Sequence, residues 1–207
     1  MTGEFLQKLT YFLMFIPILT FHEAAHAWVA HRLGDDTARS QGRLTLNPLS
    51  HIDPIGTLLI PGLSLFLGGF GLIGWGKPVP IDSTQFRNWR RDEILVALAG
   101  PLSNLILAAF VLFACRWLPP EDGLRGLALN FTFLAVFLAV FNMLPIPPLD
   151  GWYPLKHLFR LPEDLIYRLG MWGFLLLLVL INLPPVQFAL IAATKFITNL
   201  LLVVTVY

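Results

Sequence analysis

Charge is scarce in this sequence. Of 207 residues only 13% are charged, against 56% hydrophobic, and the mean hydropathy is +0.70. A soluble domain usually carries about 25% charged residues, so the chain reads as a polytopic membrane protein. Basic excess is missing too: the net charge of +1 leaves no basic patch of the kind that holds nucleic acid. A single cysteine, Cys115 in "LFACRWL", excludes an internal disulfide framework and reads as a small core residue. The start "MTGEFLQKLT" lacks the basic opening and small-residue cleavage site of a secretion signal. Repeats, low-complexity tracts and an appended soluble domain are also missing. The function is therefore expected in or against the membrane, within one integral-membrane domain over residues 1–207.

What is present is a series of apolar segments, near 5–33, 55–76, 93–118, 126–144, 165–183 and 186–206. The expected fold is all-α, a membrane helix bundle of five to six apolar segments. The first, at 1.5 Å per residue, would be about 43 Å long against a ~30 Å hydrocarbon core. It must tilt, bend near Pro17 or emerge. The second is crowded by Pro54, Gly56, Pro61, Gly62, Gly68, Gly69, Gly71, Gly74 and Gly76. It is either a kinked span or a re-entrant hairpin, whose irregular backbone must be buried in protein or line a wet cavity. Basic residues favour the hairpin. With six spans they divide eight against five; with a re-entrant second segment they divide ten against three, only Lys8, Arg116 and Arg125 lying outside. Cytoplasmic loops carry the excess of Lys and Arg, so the ten are assigned to the cytoplasm, with the N-terminus outside.

One feature conflicts with this composition. The first apolar segment contains "FHEAAHAWVAH" at 21–31, and an ionisable group at bilayer depth is costly enough to be a functional marker. "HEAAH" matches H-E-x-x-H on a helix. His22 and His26 differ by about 40° around the axis and share a face, where two imidazoles can hold one zinc ion. Glu23 beside them can take a proton from water on the metal rather than ligate it. His31, about 180° from His22, reads as a helix-end residue. A catalytic zinc usually has three protein ligands and one open position. The candidates for the third are Asp150, Asp53, His51 and His157, and spacing alone does not choose. Asp150 follows Pro145, Pro147 and Pro148, which stop the fourth segment, and Gly151 is expected to permit an unusual turn. His51 and Asp53 read as loop polar groups and His157 as interfacial.

"HEAAH" in the first apolar segment, "AGPLSN" at 99–104 and "NMLPIPPLDG" at 142–151, in that order, give the chain a resemblance to the site-2 proteases, membrane-embedded zinc metalloproteases. The resemblance spans about residues 20–151, in a motif-bearing core of about 5–160 with peripheral helices over about 165–206. It implies that His22, His26 and Asp150 ligate one zinc, that Glu23 is the general base, and that Asn142 holds substrate or the transition-state oxygen. Asn104 matches the asparagine after the family's Gly-Pro pair and alternatively makes an interhelical hydrogen bond. The family also places a re-entrant element beside the active site, where segment two lies.

Trp152 stands where many members have a second glycine. The sequence leaves no room for a PDZ domain, so substrate filtering is expected from the membrane part or from partners. The implied activity is hydrolysis of peptide bonds in or near transmembrane segments, with membrane-spanning proteins as substrates. The implied location is the cell membrane, with the active site nearer the cytoplasmic side. A zinc hydrolase with another substrate, a metal-ion transporter and a silent scaffold are the competing readings. Lys195, in the last segment, either snorkels or faces a protein interface.

Overall fold

A computed structural model describes residues 2–67, 74–119 and 123–206, and all regular structure in them is helical. Helices Gly3–Leu33, Trp89–Cys115, Gly123–Asn142, Asp164–Ile181 and Pro184–Val204 are long and apolar enough to cross a membrane, so the chain is a multi-pass membrane protein. It divides into two compact units, residues 1–89 and 90–207.

In the first unit, helix α1 (Thr2–Leu33) runs unbroken through Pro17. Its 32 residues extend about 48 Å. It ends because Gly34 takes φ +110. The Asp35 amide then reaches back to the Ala30 carbonyl (3.0 Å) and the Gly34 amide to the His31 carbonyl (3.2 Å), a glycine stop that satisfies the last carbonyls. The last turns are polar outside: Arg32 lies over the Trp28 ring at 4.8 Å, and His31 Nδ1 meets Asp36 Oδ1 at 2.6 Å. A single turn, α2 (Thr37–Ser40), follows.

The described part of the second apolar segment holds only short helices. Pro54–Leu59 is one widened π turn, capped by Asp53, whose Oδ1 accepts the amides of Ile55 (3.0 Å) and Gly56 (2.6 Å). It continues into α3 (Ile60–Leu67). The chain then comes back to where this segment began: the Trp75 amide donates to the Gly56 carbonyl (3.1 Å), the Thr57 hydroxyl to the Trp75 carbonyl (2.7 Å) and the Lys77 amide to the His51 carbonyl (2.9 Å). Gly56 must be glycine, because a Cβ there would stand 2.3 Å from the Trp75 ring. Residues 68–73 of this segment lie outside the described residues.

The loops flanking the segment bond to each other. Asp35 is fully buried; its Oδ1 accepts the Thr37 amide (2.8 Å) and its Oδ2 the Asp82 amide (2.8 Å). Gln85 donates to the Thr37 hydroxyl (2.9 Å) and Arg43 to the Lys77 carbonyl (2.6 Å). Loops tied this directly lie on one face of any bilayer. The hairpin arrangement meets that requirement and the six-span one does not.

In the second unit, α4 (Trp89–Cys115), α5 (Gly123–Asn142), the short α6 (Trp152–Leu158), α7 (Glu163–Ile181) and α8 (Pro184–Val206) follow in order. Pro184 and Pro185 open α8, where a missing amide costs nothing. Both α5 and α7 pack against α8. Helix α7 is less peripheral than expected: a Cβ at Gly173 would meet the Pro147 carbonyl at 2.4 Å, so α7 lies directly against the proline loop that leads to Asp150.

Candidate metal centre

His22, Glu23 and His26 occupy the middle of α1's second half and are all buried, at 6%, 9% and 7% exposure. One helical turn brings the His22 and His26 Nε2 atoms to 3.1 Å, with the rings edge-on at 85°. Two imidazole nitrogens on one tetrahedral zinc, each about 2.0–2.1 Å from it, would stand about 3.3 Å apart. The pair fits such an ion with little movement.

Glu23 is held by backbone. Its Oε2 accepts the Val79 amide at 3.0 Å. The donor comes from "GKPVPID", the stretch 76–82 that returns from the hairpin. Pro78 and Pro80 have no amide hydrogen, so Val79 is the sole donor among these three residues, and Glu23 takes it. The return stretch is seated against α1: a Cβ at Gly76 would meet the Leu19 side chain at 2.7 Å, and Val79 packs with Ala27, Ala38 and Leu44.

Arg43 is a buried cation that nothing in its local sequence singles out. Burial pushes its guanidinium pKa down, and the Glu23 carboxylate partly offsets that. It sets a positive charge in the surroundings of the carboxylate. No local motif marks it, since its bond to the Lys77 carbonyl is made only when the hairpin closes.

The other histidine and aspartate candidates of this unit are occupied elsewhere. His51 is fully buried, with Nε2 at 2.9 Å from the Thr45 carbonyl, and Asp53 is a helix cap. His31 is a helix-end residue paired with Asp36.

In the second unit, Asp150 is half-buried in the turn joining α5 to α6. The Gly151 amide closes this turn on the Asn142 carbonyl at 2.7 Å. Gly151 has an ordinary φ of −61, so the expected unusual turn is not why glycine is needed. The reason is steric: a Cβ would stand 2.2 Å from the Met143 carbonyl oxygen. Gly151→Ala should therefore destabilise the protein by about 1–3 kcal/mol, as overpacking against fixed backbone does. Gly170→Ala, with nothing within 4 Å, is the control. Thermal unfolding in one detergent checks the pair, and equal melting temperatures would refute the steric account.

Trp152 replaces the expected second glycine without harm, being buried as the first residue of α6. Asn142 ends α5 with its side-chain amide on the Leu138 carbonyl (2.9 Å), and Asn104 is buried in α4.

His157 is partly buried. It pairs with Glu93 of α4, whose Oε2 also receives Lys156 Nζ at 2.8 Å. Lys156 in turn sits 4.5 Å over the Tyr153 ring. Burial, then the Glu93 and Asp150 carboxylates, push the Tyr153 hydroxyl pKa up, so it stays protonated at neutral pH. This network fastens α6, and with it the Asp150 turn, to the start of α4. Glu93, Lys156 and Tyr153 were not selected from sequence, because an ion pair across 63 residues leaves no periodic signal.

Comparison with known proteins finds relatives named as zinc metalloproteases. The chain is 42% identical over 183 residues to "Putative zinc metalloprotease YwhC" of Bacillus subtilis, covering 80% of this chain and 76% of that one. It is 36% identical over 197 residues to "Putative zinc metalloprotease Rip2" of Mycobacterium tuberculosis strain H37Rv, covering 90% and 74%. The Rip2 of Mycolicibacterium smegmatis is 37% identical over 172 residues, covering 82% and 65%. No family model matches the chain, and no solved structure matches it. With its H-E-x-x-H pair buried on a membrane-length helix and these identities along most of its length, the chain belongs to the zinc metalloprotease family of YwhC and Rip2.

Proposed function

We propose that this protein is an intramembrane zinc protease of the site-2 type, hydrolysing peptide bonds in or near the transmembrane segments of other membrane proteins. The observation that carries the reading is the buried, converging Nε2 pair of His22 and His26 on a spanning helix, with an acidic neighbour held by a backbone amide. His22, His26 and Asp150 would hold one zinc per chain. Bound there, zinc would supply a Lewis acid for the substrate carbonyl and would lower the pKa of water towards ~7.

The chain's own groups do the rest. Glu23 accepts the proton of the attacking water and returns one to the leaving amine. Because Oε2 is committed to the Val79 amide, Oε1 is the oxygen that carries the proton. Asn142 orients the substrate strand, which must unwind near the cut because a helix hides its carbonyls in its own hydrogen bonds. For that role its side-chain amide must leave the Leu138 carbonyl. The direct experiment is cleavage of a panel of model transmembrane helices by the purified protein, with the Glu23 variant argued below as the control.

The protein is assigned to the cell membrane, with the active site nearer the cytoplasmic side, on the ten-to-three basic division and the bonded loops. A cysteine at exposed Ser40, in a Cys115→Ala background, should react with an impermeant thiol reagent only when the cytoplasmic face is opened. Labelling of intact cells would reverse the orientation.

A further inference from the structure

Helix α8 places a charge for which the described residues offer no counterpart. Lys195 is the twelfth of the 23 residues of α8, inside the apolar stretch Pro184–Val204. It is exposed and makes no hydrogen bond or ion pair among the described residues. At 1.5 Å per residue it lies about 16 Å from either end of its helix, while its four-carbon stem reaches little more than one turn. Snorkelling, which serves lysines near helix ends, does not bring it to water from there.

The surroundings are those of a contact face. Asn199 is one turn further along and also exposed; Ala192, a small residue, is one turn before. Residues three and four apart share a helix face, so the three form a small-polar-polar stripe. Small residues let backbones approach closely, and side-chain amides bond across helices in lipid. The opposite face of α8, with buried Leu190 and Thr194, is the one already turned into the protein. The occupant must bring the opposite charge. A second copy of this chain does not: among the described residues of its spanning helices, the carboxylates are Glu4, Asp92, Glu93 and Asp164 near helix starts, and Glu23, which is buried.

We propose that the Ala192–Lys195–Asn199 face of α8 docks a transmembrane helix of a partner protein that carries a carboxylate at mid-bilayer depth. The ion pair removes the lysine from lipid, and Asn199 supplies the adjoining hydrogen bond. This inference requires only that α8 spans the membrane, and not that the chain is a protease.

The test uses the full chain in phosphatidylcholine vesicles with two synthetic Leu-Ala helices as probes, alike except for Asp or Leu at the centre, and reads association by energy transfer. The Asp helix should bind about tenfold more tightly, the effect of one good interhelical polar contact. Lys195→Leu should bring the ratio to about one, and Lys195→Arg should keep it. Unchanged helix content and unfolding temperature in Lys195→Leu would show that a lost ratio comes from docking and not from misfolding. Equal binding of the two probes to the unmodified chain would overturn the proposal, as would a ratio that survives Lys195→Leu. Energy transfer between two labelled copies of the chain that disappears in Lys195→Leu would also overturn it, by giving the face to a second copy.

Discussion

Glu23→Gln should fold normally and keep its zinc, yet lose turnover of a model transmembrane helix by about 10²–10⁴-fold, the usual worth of general acid–base catalysis. The substitution keeps the size of the side chain, and its remaining amide oxygen can still accept the Val79 amide. What it removes is the ability to take a proton from water. His22→Ala should behave differently, losing metal as well as activity. The comparison needs one substrate helix, one metal assay and both variants in the same detergent. Cleavage by Glu23→Gln at near the unmodified rate would remove the protease mechanism, and an ion site built from the same residues would become the leading reading.

The second large effect concerns the third ligand. Purified protein should hold about one zinc per chain, and Asp150→Ala should abolish both its tight retention and the activity. A catalytic zinc with three protein ligands cannot lose one without a severe loss of affinity. Asp53→Ala should keep the zinc. The Asp53 carboxylate accepts the amides of Ile55 and Gly56, so its loss should cost about 1 kcal/mol, as loss of a helix cap does. The opposite pattern, with zinc lost from Asp53→Ala and retained by Asp150→Ala, would overturn the ligand assignment. Plasma-emission metal analysis after dialysis reads both variants directly.

The membrane class was legible in composition because lipid tolerates little else: a chain with 13% charge and long apolar runs has few alternatives to spanning helices. The expected third to sixth segments lie within a few residues of α4, α5, α7 and α8, since apolar length decides them locally. H-E-x-x-H was legible for the same kind of reason. A four-residue spacing fixes a shared helix face whatever the rest of the chain does, and the buried Nε2 pair follows from it.

Tertiary structure decided what depends on distant residues meeting. That Val79 donates to Glu23, that Arg43 is buried within its field, and that Glu93 gathers Lys156 and His157 are separations of 56, 20 and 63–64 residues, which no period encodes. The role of Gly151 was misjudged for a related reason. A sequence shows that glycine is present, but only packing shows whether conformation or space requires it, and here the Met143 carbonyl occupies the room a side chain would need. The hairpin stands between the two cases. Its glycines, prolines and flanking charges made it the favoured reading, and the hydrogen bonds from Trp75 to Gly56 and from Asp82 to Asp35 decided it, because they join residues that a continuous membrane span would hold on opposite faces.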